Sequence, residues 1–219
     1  ASTSHELRMP LHGIAGLAKT IKQESPTLSE GARNRINLIE STANRLGNLV
    51  NDILDISSMK HDKLSIQIKA TYLGPLIDST IQSLSPLIKN KPIALDFNID
   101  EDANQVLADE QRLQQILYNL IGNAIKFTEQ GYIRINAQRQ NNHILIQVSD
   151  SGIGISSDQL STVLKPFETI EGQSSNEIRG TGLGLPITRM LIKLHKGSLS
   201  LRSVEGEGTI AEFTLPRAE

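Results

Sequence analysis

Several groups of residues in this chain could do chemistry. Asn119 and Asn123 stand four apart in LYNLIGNAIKF. On a helix that spacing projects both amides from one face. Neutral amide oxygens suit a hard cation such as Mg²⁺, which keeps several waters and bridges phosphate oxygens. Lys126, about a turn further on, can meet phosphate charge, and Phe127 follows it. The same stripe reads equally as the solvated face of a very apolar helix. Asp150 closes an alternating run in VSDSGIGI, and Gly152 and Gly154 behind it allow a ligand close to the backbone. A carboxylate there can accept a hydrogen bond from an exocyclic amine such as that of adenine. A plain strand-ending turn has the same composition. Gly180, Gly182 and Gly184 in RGTGLGLPI lead into a helical pattern, where free N–H groups and the helix dipole favour phosphate. No Gly-Lys-Ser/Thr follows, so this is not a P-loop, and the spacing is not that of a dinucleotide fingerprint.

Near the start lies SHELRMPL, Ser4–Leu11. If Leu7 is a seam position, His5 lies off the seam and faces water. Pro10 has no N–H, so the Glu6 carbonyl loses its helical partner and the backbone beside His5 loosens. Glu6 can orient the imidazole or take its proton, which leaves the other ring nitrogen nucleophilic. An imidazole with a pKa of ~6.5 is mostly neutral at pH 7. Taken alone, His5 is an ordinary surface histidine. His12, His61, His143 and His195 lack such neighbours and read as structural or solvated.

These groups need elements to position them. Leu7, Leu11, Ile14, Ala18 and Ile21 step in fours and threes, a heptad seam. ESPTLSEG interrupts it, and a second seam follows at Ile36, Ile39, Ala43, Leu46, Val50 and Ile53. Two such helices joined by a polar turn make a helical hairpin. A lone hairpin cannot cover its seam, and Leu38, Leu49, Leu54 and Ile56 widen the face, so a dimeric four-helix bundle is expected. SMKHDK, Ser58–Lys63, reads as a linker. Beyond it the period changes. LSIQIKA and IALDFNI alternate as strands around a helical segment, Leu73–Lys89. Asp109–Lys126 reads as a long helix. YIRINAQ and HILIQVSD form a hairpin around RQNN. Ser151–Gly180 has little periodicity beyond Leu160–Leu164 and is too long for an ordinary loop. A helix over Leu183–His195 and strands SLSLRS and TIAEFTL complete the pattern. The expected fold is α+β: residues 1–60 a helical hairpin, residues 61–219 an α/β sandwich with a mixed sheet.

Composition bounds the rest. The chain has 219 residues, 38% hydrophobic and 21% charged, enough to bury a core. Aromatics are 3% and tryptophan is absent, so the core is mainly Leu, Ile and Val. A net charge of −2 without a basic stripe argues against nucleic acid. The absence of cysteine excludes disulfides, thiolate metal sites and cysteine nucleophiles. No apolar run approaches the ~20 residues of a membrane span. The helical pattern begins at once, which reads as a piece of a longer protein.

Together the motifs carry a resemblance. SHELRMPL resembles the phosphoacceptor box of the sensor histidine kinases. DEQRLQQILYNLIGNAIKFT resembles their asparagine box, DSGIG the first glycine box and KPFE the phenylalanine box. RGTGLGL resembles the second glycine box, and GEGT, Gly206–Thr209, the last. All stand in family order and cover nearly the whole chain. The resemblance implies the catalytic core of a sensor kinase of the hybrid type: a dimerisation and histidine-phosphotransfer domain, then a Bergerat-type ATP-binding domain. His5 would be the nucleophile and Glu6 its acid/base partner. Asn123 would bind Mg²⁺ with Asn119 beside it at the phosphates. Lys126 would meet phosphate, and Phe127 would flank the nucleotide. Asp150 would recognise adenine, Gly152 and Gly154 would shape its pocket, and Phe167 would anchor a lid. Gly180, Gly182 and Gly184, with Thr181 and Leu183 between them, would wrap the triphosphate of ATP, and Arg179 would reach the γ-phosphate. Implied partners are a second copy through the hairpin and a receiver domain whose aspartate takes the phosphoryl group. Nucleic acid is not implied. The resemblance implies a cytoplasmic domain and allows a parent anchored at an inner membrane by parts outside this chain.

One position departs from the family pattern. Four residues after the histidine many members carry Thr or Asn, which positions a water to dephosphorylate the partner; here it is Met9, which orients water poorly. Two other readings compete. A Bergerat ATPase of the chaperone or gyrase kind would carry a glutamate base where Asn119 stands and would have no use for SHELRMPL. A pseudokinase scaffold would only dimerise, and would not need the nucleotide boxes.

Overall fold

The computed structural model describes residues 2–25, 27–60, 65–168 and 181–218. In its first two helices, side chains are described from Met9 to Ser57. The chain divides into two compact units, Ala1–Leu64 and Ser65–Glu219.

The first unit is the expected hairpin. Helix α1 spans Ser2–Glu24 and α2 spans Glu30–Lys60. Pro10 sits inside α1 without ending it. Because α2 continues through Lys60, the first residues of the expected linker are helical, while 61–63 lie outside the described residues. The seam is only half covered. Leu11, Ala18, Ile36, Ala43 and Val50 are buried or half-buried in the packing of α1 on α2. The alternate seam residues Ile14, Ile21, Ile39, Leu46 and Ile53 remain 45–49% exposed. Near the turn, Lys22 Nζ donates to Asn37 Oδ1 and Glu40 Oε2, both at 3.0 Å, and ties the helices at that end.

The second unit is a two-layer α/β sandwich. Its elements are β1 (Lys69–Tyr72), α3 (Leu73–Ile88), β2 (Ile93–Ile99), β3 (Gln105–Ala108), α4 (Glu110–Phe127), β4 (Gly131–Gln140), β5 (His143–Asp150), α5 (Gly184–Leu194), β6 (Leu199–Val204) and β7 (Gly208–Pro216). The main sheet runs β2-β4-β5-β7-β6. The β2–β4 pair is parallel and the other pairs antiparallel, so the sheet is mixed as expected. Register aligns Ala137, Ile146, Phe213 and Leu199 in one row and Ile135, Val148, Ala211 and Leu201 in the next. The β4, β5 and β7 members of these rows are buried, under a helical layer that supplies Leu113, Ile116, Leu117, Ile121, Ile187 and Leu191. The opposite face is polar, with Gln147 and Arg202 both bonded to Glu212.

Three details differ from expectation. The strand expected over LSIQIKA is confined to Lys69–Tyr72, because the Gln67 N–H donates to the Asp109 carboxylate at 2.8 Å instead of joining a ladder. Its partner β3 is only four residues long and lies behind a helical turn at Glu101–Ala103, too short to show a period. The hairpin turn is narrower than RQNN: β4 runs to Gln140, which pairs with His143, and Asn141 takes a positive φ of 56°. A two-residue turn of this kind needs left-handed residues, which asparagine tolerates. No helix among the described residues is long and apolar enough to cross a membrane.

Candidate active site

Helix α4 is the backbone of the site. Asp109 caps its first turn by accepting from the Arg112 N–H at 3.2 Å. At the far end Lys91 Nζ donates to the carbonyls of Ile125 (3.0 Å) and Thr128 (2.9 Å) and to Glu129 Oε1 (3.3 Å). A cation there satisfies the carbonyls that the last turn leaves open. Between the caps, Asn119 and Asn123 are half-buried on one face. Asn119 Nδ2 donates to Gly184 O and Thr188 Oγ1, both at 3.4 Å. It therefore touches the start of α5 as well as lining the site. Lys126 Nζ lies 4.6 Å from the centre of the Phe127 ring, and that ring is 37% exposed.

Asp150 ends β5 beside this helix. Its Oδ1 accepts from the N–H groups of Gly152 (2.9 Å) and Thr209 (3.3 Å). Burial raises its pKa above the ordinary carboxylate value, and these two bonds oppose the rise. The carboxylate is thus held by one oxygen, and its other oxygen is the acceptor available to a ligand amine. Gly152 packs where a Cβ would overlap the Phe127 carbonyl oxygen and come within 2.8 Å of Asp150 Oδ1. The Ile153 N–H donates to that same carbonyl at 3.1 Å. Gly154 has a φ of +67°, and a Cβ there would overlap the Val204 carbonyl. The loop is fastened on that side by Gly206 N to Ile153 O (2.7 Å) and Ile155 N to Ser203 Oγ (2.8 Å).

The two described flanks of the long glycine- and serine-rich stretch are bonded to each other. Phe167 is 66% exposed with a φ of +68°, and its N–H donates to Gly182 O at 3.0 Å. Gly182, also left-handed, leaves no room for a Cβ against the Phe167–Glu168 backbone. Thr181 Oγ1 accepts from Leu183 N at 3.2 Å, and Leu183 is fully buried. Gly184 opens α5 against the Asn119 amide. Arg179 and Gly180 lie outside the described residues, as do the side chains of His5 and Glu6, whose backbone is in α1.

The second unit therefore brings together Asn119, Asn123, Lys126 and Phe127 on one helix, with Asp150, Gly152 and Gly154 at its C-terminal end and Gly182–Gly184 across from Asn119. Sequence reasoning gave no site role to Thr209, whose N–H holds Asp150, or to Ser203 and Lys91. GEGT marked the place of Thr209, but its bond joins strands that are remote in sequence. No three His, Cys, Asp or Glu side chains cluster as metal donors among the described residues. A cation at this site would take oxygen from amide, phosphate and water, a donor set that suits Mg²⁺.

Residues 108–219 match the family model described as "Histidine kinase-, DNA gyrase B-, and HSP90-like ATPase", and residues 1–62 match "His Kinase A (phospho-acceptor) domain". The chain belongs to the histidine kinases. An uncharacterized sensor-like histidine kinase of Rhizobium meliloti is 36% identical over 99% of this chain and 42% of its own length. The autoinducer 2 sensor kinase/phosphatase LuxQ of Vibrio parahaemolyticus is 34% identical over 99% of this chain and 26% of its own. Among solved structures, full-length ShkA in complex with AMPPNP has a TM-score of 0.81 at 28% identity, covering all of this chain and 45% of that one. This kinase chain thus spans less than half the length of these relatives.

Proposed function

We propose that this chain is an ATP-dependent autokinase that phosphorylates its own His5 and passes the phosphoryl group to an aspartate of a receiver domain. The observation that carries the reading is the Asp150 carboxylate, held by one oxygen beside the tightly packed Gly152–Gly154 turn, with the phosphate-side residues on the neighbouring helix. Adenine's exocyclic amine meets the free carboxylate oxygen. Phe127 and the Gly152–Gly154 turn flank the base. The triphosphate runs along α4 towards the α5 N-terminus, where Gly182 and Gly184 bring backbone N–H groups near and the buried Leu183 fixes the turn between them. Thr181 shapes that turn, and Arg179 and Gly180 are the proposed contacts of the γ-phosphate. Asn123 would hold Mg²⁺, which would neutralise phosphate charge, and Asn119 positions the second glycine turn.

In the transfer step a neutral His5 nitrogen attacks the γ-phosphorus in line. The new N–P bond forms as the bond from the γ-phosphorus to the β–γ bridging oxygen breaks, ADP leaves, and the proton on the other ring nitrogen is taken up by Glu6. Positioning and charge neutralisation supply most of the acceleration. The half-exposed seam residues Ile14, Ile21, Ile39, Leu46 and Ile53 support a second copy as the hairpin's partner, completing a four-helix bundle. Met9 is 57% exposed and apolar, so water activation for receiver dephosphorylation is weak.

The test is a phosphoryl chase. The chain is labelled with γ-labelled ATP and Mg²⁺, freed of nucleotide, and mixed with receiver domains. Label moving to a base-labile acyl phosphate supports the reading; label that never leaves ATP, or that reaches the receiver equally from a His5→Gln chain, contradicts it.

A further inference from the structure

Asp109 and His195 are 86 residues apart, and neither has a place in the phosphoryl transfer described above. His195 is 2% exposed at the end of α5. Its Nδ1 lies 2.7 Å from the Leu191 carbonyl oxygen, which can only accept, so Nδ1 carries the proton. Nε2 is then a lone-pair acceptor, and it takes the Asp109 N–H at 3.0 Å. That N–H is one of the donors a helix N-terminus leaves open. The Asp109 carboxylate meanwhile caps α4 with Oδ1 and accepts from the Gln67 N–H with Oδ2. Three chain segments meet at this pair: the first residues of the second unit, the start of α4 and the end of α5.

The two helices run antiparallel. The start of α4 meets the end of α5 at Asp109 and His195, and the middle of α4 meets the start of α5 at Asn119, Gly184 and Thr188. At 1.5 Å per residue, Asp109 to Asn119 is about 15 Å and His195 back to Gly184 about 16 Å. The helices are therefore pinned at two points a matched distance apart. One carries Asn123 and Lys126, and the other opens at the glycine turn. The adenine half of the site hangs on β5 and β7, through Asp150, Gly152 and Thr209, and meets α4 only at its far end, where the Ile153 N–H donates to the Phe127 carbonyl.

We propose that Asp109 and His195 form a positioning pair that sets the register of α4 against α5, and through it the phosphate half of the site but not the adenine half. This rests on the reading that the site binds ATP. Removing the His195 acceptor leaves the half-buried Asp109 N–H without its partner. The pinned end then slides or admits water, and the glycine turn loses its register with Asn123 and Lys126.

The experiment compares two ligands on the full chain: AMPPNP with Mg²⁺ by calorimetry, and adenosine by ligand-observed NMR. His195→Asn keeps a donor for the Leu191 carbonyl and loses the acceptor for Asp109. It is expected to weaken AMPPNP about tenfold, the change that ~1.4 kcal/mol makes and within what the loss of one hydrogen bond costs. Adenosine affinity stays within about twofold. His195→Gln, whose Oε1 can stand in for Nε2, restores AMPPNP affinity to within about threefold. Should the Asn variant not fold, His195→Leu carries the same expectation. Equal weakening of both ligands, no weakening of either, or no rescue by glutamine overturns the pair as a positioning device. An unmodified chain that binds neither ligand overturns the nucleotide reading itself, and the pair with it.

Discussion

Replacing Asp150 by asparagine changes one oxygen to an amide nitrogen and little else in shape. In the protein Oδ1 is already occupied by the Gly152 and Thr209 N–H groups, so the variant's amide oxygen takes that place. Its NH₂ then stands where the free carboxylate oxygen met adenine, and a donor faces a donor. The loss is one hydrogen bond to a charged group, about 1.5–3 kcal/mol, or between about tenfold and a hundredfold in Kd. Stability moves the other way. Burial raises the Asp150 pKa, so the stability this group contributes is present below its unfolded value and is lost as pH rises through the folded value. Above its folded value the ionised carboxylate is thus a cost that asparagine removes, and the variant unfolds no earlier than the unmodified chain. The pH profile separates the two effects. ATP affinity of the unmodified chain falls on acidification already above the ordinary carboxylate range, as Asp150 takes up a proton; that of Asp150→Asn does not. Calorimetry with AMPPNP at several pH values, paired with thermal unfolding, reads both. An asparagine variant that keeps its affinity within about threefold, or loses it only by unfolding, would refute the assignment of Asp150 to the adenine amine.

Other perturbations follow from the same geometry. Gly152→Ala puts a methyl group into the Phe127 carbonyl and should cost about 1–3 kcal/mol in thermal unfolding, as overpacking does, with ATP affinity reduced alongside. In the hairpin, burial and the neighbouring Asp55 charge push the Asp52 carboxyl up to about 6. Its contribution to stability is present below pH ~4 and lost as pH rises through ~6; because the group is only half-buried, about 1 kcal/mol is expected after screening. Asp52→Asn should abolish that slope in unfolding curves taken between those values. Met9→Thr, at an exposed position, should add receiver dephosphorylation that the unmodified chain barely shows, without loss of autophosphorylation; strong dephosphorylation by the unmodified chain would remove the argument from Met9.

Much of this was legible in the residues. The heptad steps of Leu11–Ile21 and Ile36–Ile53 announced two helices, and the half-exposed Ile14, Ile39 and Ile53 bear out the argument that a lone hairpin leaves its seam open. The alternation in IALDFNI and HILIQVSD placed two strands of the main sheet, because a half-buried strand repeats every second residue. Asn119, Asn123 and Asp150 stood out because polar side chains interrupt apolar runs. What was hidden is non-local. Strand β3 is four residues with no period of its own and exists because β1 lies beside it. His195 read as structural or solvated with nothing local to decide between them; it is buried, and both ring nitrogens find backbone partners, one of them 86 residues away. Lys91 gave no signal, since a lysine capping a distant helix has the same local context as any surface lysine. Thr209 sat in a noted motif, but its role depends on the register of β5 against β7.

The central claim is that ATP's γ-phosphoryl group moves to His5. The most direct measurement incubates the full chain and a His5→Gln chain with γ-labelled ATP and Mg²⁺, then exposes the labelled protein to acid and to base. Base-stable, acid-labile label on the unmodified chain, absent from His5→Gln although that chain still binds ATP, is the predicted result. Equal labelling of both chains, or label that survives acid, would contradict it.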